Sequence, residues 1–136
     1  MELLKLDWNN YHRYIYKLSE KIKNVDDDTL LYKYIAGLES DDMFVAVHLS
    51  HILNIPVVTD INLLSLLTNF TDSADQVLVV SNIVETGLKF ESIADLIGSK
   101  FDTAVIFKDK NSKYKPTYYV KTPKNHIYFP WEKCGL

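Results

Sequence analysis

In the stretch VLVVSNIVETGLKF, from Val77 to Phe90, the residues able to do chemistry are Ser81, Asn82, Glu85, Thr86, Gly87 and Lys89. Four aliphatic residues precede them and read as a buried strand, Val77–Val80. Thr86 supplies a hydroxyl, and Gly87 removes the β-carbon at a turn. A helix starting at Leu88 would then aim its unpaired first-turn N–H groups at whatever lies before it. A strand, a Thr-Gly turn and a helix start together make a place for an anion. Glu85 fits two roles: an acid beside the bound group, or a charge favoured by the helix dipole. Elsewhere, His48 and His51 stand one helical turn apart without a third ligand at a recognisable spacing, so no metal site is expected. The aspartates at 26–28 read as a solvated loop.

The elements that must position these groups follow from periodicity. Trp8, Tyr11, Ile15, Leu18 and Ile22 share one face of a helix, with Asp7 as its N-cap. LLYKYIAG (30–37) reads as a strand closing at Gly37. SDDMFVAVHLSHILN (40–54) reads as a helix capped by Ser40 or Asp41, with Phe44, Val47, His48 and Ile52 on its apolar side. IPVVTD (55–60) is a short strand, and INLLSLLTNF (61–70) is assigned to helix. Residues 88–97 form a helix with Ile93, Leu96 and Ile97 inward and Gly98 near its end. DTAVIFK (102–108) is a strand, KDKNSKYKP (108–116) a charged loop, and TYYVK (117–121) and HIYFPW (126–131) two short strands. Strands alternating with helices predict an α/β, doubly wound, mainly parallel sheet.

The 136 residues suit a single domain, and 47% apolar with 24% charged residues is the composition of an ordinary globular protein. A formal charge of −3 argues against nucleic acid and anionic membrane as partners. No apolar run approaches the ~20 residues of a membrane span. The N-terminus lacks the order of a leader, and Cys134 is the lone cysteine, so a cytoplasmic protein is expected.

Val77–Phe90 resembles the PRPP-binding stretch of the type I phosphoribosyltransferases: four aliphatics, two acids, two apolar residues, then Asp-Thr-Gly-x-Thr. YIAGLESDDMFVAVHLSHILNIPVV (34–58) looks like that family's strand, pyrophosphate loop, helix and next strand. AVIFKDKNSKYKPTYYVKTPKNHIYFPWE (104–132) looks like the C-terminal hood of its xanthine–guanine and hypoxanthine members, and FPWE is close to the ending of short purine-type members. The resemblance spans about Trp8 to Glu132 and implies the corresponding α/β fold with a small hood. It also implies transfer of a phosphoribosyl group to a purine base with release of pyrophosphate and Mg2+ as cofactor; a homo-oligomer, a dimer, is expected separately.

Carried over residue by residue, the resemblance puts Ser81 and Asn82 where an acid pair would hold the ribose hydroxyls. It puts Glu85 beside the reacting base, Thr86 and Gly87 at the 5′-phosphate turn with Leu88 following, and Lys89 in place of a last threonine. Ser40, Asp41 and Asp42 fall on the pyrophosphate loop. Lys108 falls on the lysine that reads the purine, His126 on the stacking aromatic and Ile127 on its neighbour. Two departures stand out. Carboxylates at Asp41 and Asp42 oppose pyrophosphate, since like unit charges at about 4 Å repel by roughly 4 kcal/mol at an effective dielectric of 20. Ser81-Asn82 lacks the carboxylates that attract Mg2+. Nor does the segment between Asp60 and Gln76 offer a long exposed hairpin to serve as a flap.

The sequence therefore reads as a phosphoribosyltransferase-like protein, weak or inactive as a transferase, that binds a nucleotide, phosphate or purine-type molecule at Glu85–Lys89. Two alternatives stay open: an active transferase that uses Glu85 with Asp41 or Asp42 for metal, and a non-catalytic scaffold subunit.

Overall fold

A computed structural model describes residues 3–23, 32–60, 77–97 and 101–132. The 61–70 helix assignment, the missing flap, the aspartates at 26–28, Gly98 and Cys134 lie outside the described residues.

Strand β1 (Leu3–Lys5) leads into α1 (Trp8–Ile22), whose first turn is capped by Asp7 through a 2.7 Å bond from the Asn10 N–H. Tyr11, Ile15, Leu18 and Ile22 are buried as their spacing requires, while Trp8 at the near end stays 44% exposed. Strand β2 (Tyr34–Gly37) is followed by one 3-10 turn, Ser40–Asp42, and by α2 (Met43–Leu53). Then come β3 (Val57–Val58), β4 (Val77–Val84), α3 (Leu88–Ile97), β5 (Asp102–Lys108), β6 (Tyr118–Lys121) and β7 (His126–Tyr128).

Five strands form one parallel sheet in the order β3-β2-β4-β5-β6, and β1 pairs with β7 in a separate parallel ribbon. Helices α1 and α2 cover one face over a core of Tyr11, Ile15, Leu49, Leu78 and Ile106. Phe90 and Ile93 of α3 cover the other face with Val79 and Val105. Helices on both sides of a parallel sheet are the doubly wound arrangement that the alternation of elements predicts. Among the described residues no helix is long and apolar enough to cross a membrane.

Three local readings change. The strand at Val77 runs on to Val84, so Ser81 and Asn82 lie inside it rather than beyond its end. Neither Ser40 nor Asp41 caps α2; the chain enters the helix through the 3-10 turn, and Asp42 at the N-cap makes no side-chain cap bond. Helix α2 buries Val45, Ala46, Leu49 and Leu53, leaving Phe44 and Val47 exposed. MFVAVHLSHIL is apolar on almost every side, so its spacing singles out no face.

Candidate functional site

In an open parallel sheet, ligands sit beyond the carboxyl ends of the strands, where the strand order reverses. Here β2 leads outward to β3, while β4 leads the opposite way to β5, so the reversal lies between β2 and β4. An open cleft of about 530 Å3 lies at this point. Its walls come from the loop after β2, the end of β4 with the turn into α3, the loop after β5, and the hood around β7.

The loop after β2 is pressed against its strand. A β-carbon on Gly37 would lie 2.9 Å from Met43 Sδ and 3.4 Å from the Asp42 carbonyl oxygen. Folding back this tightly drives Asp42 inward, to 5% exposure. Asp42 Oδ1 accepts from the Ser81 hydroxyl at 3.0 Å and from the Asn82 N–H at 3.0 Å. Oδ2 accepts from the Glu39 N–H at 3.1 Å. Burial pushes the Asp42 carboxyl above the usual carboxylate range, against the pull of these three donors and of Lys89. Asp41, its neighbour, lines the cleft and is exposed.

Both Ser81 and Asn82 are buried and line the cleft. The Asn82 side-chain oxygen is buried without a hydrogen-bond partner among the described residues. Such an orphaned acceptor costs about 1–3 kcal/mol unless something donates to it.

At the turn, Gly87 has φ of +85°, a conformation that suits glycine. Tyr114, from the loop after β5, lies over it and stacks on Phe90 with ring centres 5.0 Å apart. The Thr86 hydroxyl accepts from the Leu88 N–H at 3.4 Å, so the threonine turns toward its own helix. Glu85 is exposed at the cleft wall. Lys89 reaches across the mouth to Glu39 at 2.8 Å, and this bond holds its ammonium above the ordinary lysine range.

The cleft thus gathers Asp41, Asp42, Ser81, Asn82, Glu85, Thr86, Gly87 and Lys89, with His126 and Ile127 from the hood. Ser40 and the exposed Leu88 are not in its lining. Lys108 is not either: its ammonium donates to the Ser112 carbonyl at 3.2 Å. Residues that the sequence reading did not single out also line the cleft: Glu39, Asp109, Lys110, Lys124 and Glu132. Lys110 stands two places beyond Lys108 in the charged loop, the one signal that pointed there. Outside the cleft, His48 Nδ1 pairs with the Tyr11 hydroxyl at 2.6 Å, and no cluster of three or more metal-ligating side chains occurs among the described residues.

Solved structures share this architecture. A purine phosphoribosyltransferase from Pyrococcus horikoshii superposes with a TM-score of 0.75 at 23% identity, covering 100% of this chain and 98% of the other. The fold is that of the type I phosphoribosyltransferases. A Helicobacter pylori xanthine–guanine–hypoxanthine phosphoribosyltransferase gives 0.75 at 17% identity, over 96% of this chain and 94% of its own. A hypothetical protein from Neisseria gonorrhoeae with bound ppGpp gives 0.72 at 16%, over 98% and 91%. No protein-family profile matches the chain, and no curated protein matches it by sequence.

Proposed function

We propose that this chain is a cytoplasmic, homodimeric phosphoribosyltransferase-like protein that holds a purine nucleotide in the β2–β4 cleft and is weak or inactive as a transferase. The observation that carries this reading is the neutral pair at the end of β4. Where the resemblance expects two carboxylates, the structure has a serine whose hydroxyl donates to Asp42 and an asparagine with one unpartnered oxygen. These residues do not fit Mg2+, which prefers carboxylate and phosphate oxygens, because the carboxylate nearest them already accepts three protein donors.

On this reading the 5′-phosphate lies at Thr86–Gly87, at the N-terminus of α3, with Lys89 leaving Glu39 for it. A ribose hydroxyl donates to Asn82. His126 and Ile127 flank the base, and Lys110 takes the contact that the resemblance gave to Lys108. Support comes from the location of the cleft at the strand-order reversal and from the ppGpp bound in a protein of the same fold.

Calorimetric titration with GMP and IMP tests the reading. One-to-one binding whose heat does not change when Mg2+ is replaced by EDTA is expected. Absence of binding by both nucleotides and by free guanine and hypoxanthine would overturn it.

A further inference from the structure

The contacts of Asp42 go beyond a misplaced charge. Three donors converge from two separate elements: the Glu39 N–H from the loop after β2, and the Asn82 N–H and Ser81 hydroxyl from the end of β4. Donors converging on one point from backbone and hydroxyl groups are what a protein offers an anion. Here a two-oxygen anion belonging to the chain already sits among them, buried to 5% exposure.

We propose that Asp42 is a permanent internal occupant of the anion-binding half of the cleft and is the residue that closes this cleft to diphosphates. A diphosphate entering between β2 and β4 would have to take these same donors, and each of them is already engaged. Movement of Asp42 out of the way is opposed by the loop itself, which packs so closely on Gly37 that a β-carbon there would lie only 3.4 Å from the Asp42 carbonyl oxygen. The wall adds no compensating charge, since six carboxylates (Glu39, Asp41, Asp42, Glu85, Asp109, Glu132) face three lysines. The Thr86–Gly87 turn lies on the other side of Asn82 in sequence and shares none of Asp42's donors, so one phosphate still has a place. The orphaned Asn82 oxygen is a second sign of a ligand beside that place. The location of this remaining phosphate rests on the function proposed above; the occupancy by Asp42 does not.

Inorganic pyrophosphate is the probe, titrated into wild type, Asp42→Ala and Asp42→Asn by calorimetry and by thermal melting against sodium chloride of equal ionic strength. Wild type is expected to ignore millimolar pyrophosphate. Asp42→Ala, with the two N–H groups released, is expected to bind it at least about tenfold more tightly and to melt several degrees higher in its presence. Asp42→Asn separates occupancy from charge. Its carboxamide oxygen still accepts from Ser81 and Asn82, and its NH2 group, though unable to accept from the Glu39 N–H, still fills the place of Oδ2. Its pyrophosphate affinity should therefore stay near that of wild type and well below that of Asp42→Ala. The proposal is overturned if folded Asp42→Ala gains no affinity, if wild type binds pyrophosphate as well as the variant does, or if Asp42→Asn matches Asp42→Ala. Should the alanine protein not fold alone, its recovery by pyrophosphate and not by chloride supports the proposal, and no recovery overturns it. GMP titrated into wild type in parallel reports on the proposed function alone.

Discussion

Replacing Gly87 by alanine tests how the turn into α3 is built. Gly87 has φ of +85°, and a β-carbon there would lie 2.4 Å from Tyr114 Cβ and 2.7 Å from Cγ. Tyr114 has little room to withdraw, since its ring stacks on Phe90 at 10° between planes and its hydroxyl donates to Thr103. Left-handed backbone costs an alanine about 1–2 kcal/mol. Overpacking adds about 1–3 kcal/mol. The sum, roughly 2–5 kcal/mol, is a large fraction of the stability of a domain this size. At roughly 3–5 °C per kcal/mol for a chain of this length, Gly87→Ala should melt roughly 6–25 °C below wild type by circular dichroism, with a parallel fall in the urea midpoint. Made in a Tyr114→Ala background, the same substitution should cost only the backbone part, about 1–2 kcal/mol. Two results would refute the reasoning: a Gly87→Ala protein within about 0.5 kcal/mol of wild type, or an equal cost in both backgrounds. The sequence reads Gly87 as a place kept clear for an anion, and the structure adds a packing duty under Tyr114.

Three further outcomes follow. Ser81→Ala removes one of the two donors to Asp42 Oδ1, and chemical denaturation should show a loss of about 1–2 kcal/mol. Lys89→Ala breaks only an exposed ion pair, so stability should stay within about 1 kcal/mol of wild type while calorimetric affinity for GMP falls about tenfold. Burial, then His12 and His51, hold His48 below the ordinary histidine range. The folded chain therefore binds that proton less readily than the unfolded one. The resulting stability is complete above about pH 6.5 and is lost as pH falls toward the lowered folded value. Melting temperature should drop between pH 7.5 and 5.5, with a shallower slope in His48→Gln; an unchanged slope would contradict this.

Much of the fold was legible because its signals are strong. Four aliphatic residues at Val77–Val80, the apolar core of DTAVIFK and the stripe on α1 each admit one reading, and their alternation specifies a parallel sheet. Strand β1 went unseen because three residues carry no period; it exists through its pairing with β7. The exposed side of α2 was misjudged because that helix has no polar face to mark it. At the site, the turn, the neutral pair and the acids after β2 could be named from residue types. Their relations could not. That Asp42 reaches 40 residues along the chain to Asn82, or that Lys89 meets Glu39, depends on how two loops fold over one strand end. Asp42, read from the sequence as a repulsive charge facing the cleft, is turned in the structure to three protein donors, because a carboxylate surrounded by donors turns to them.

The most direct measurement is turnover. The purified chain, PRPP and Mg2+ are incubated with guanine, xanthine or hypoxanthine, and nucleotide is quantified by mass spectrometry. Nucleotide is expected to be absent, or to form far more slowly than about 1 per second, with every base. Formation at an ordinary enzymatic rate, about 1 per second or faster, would contradict it.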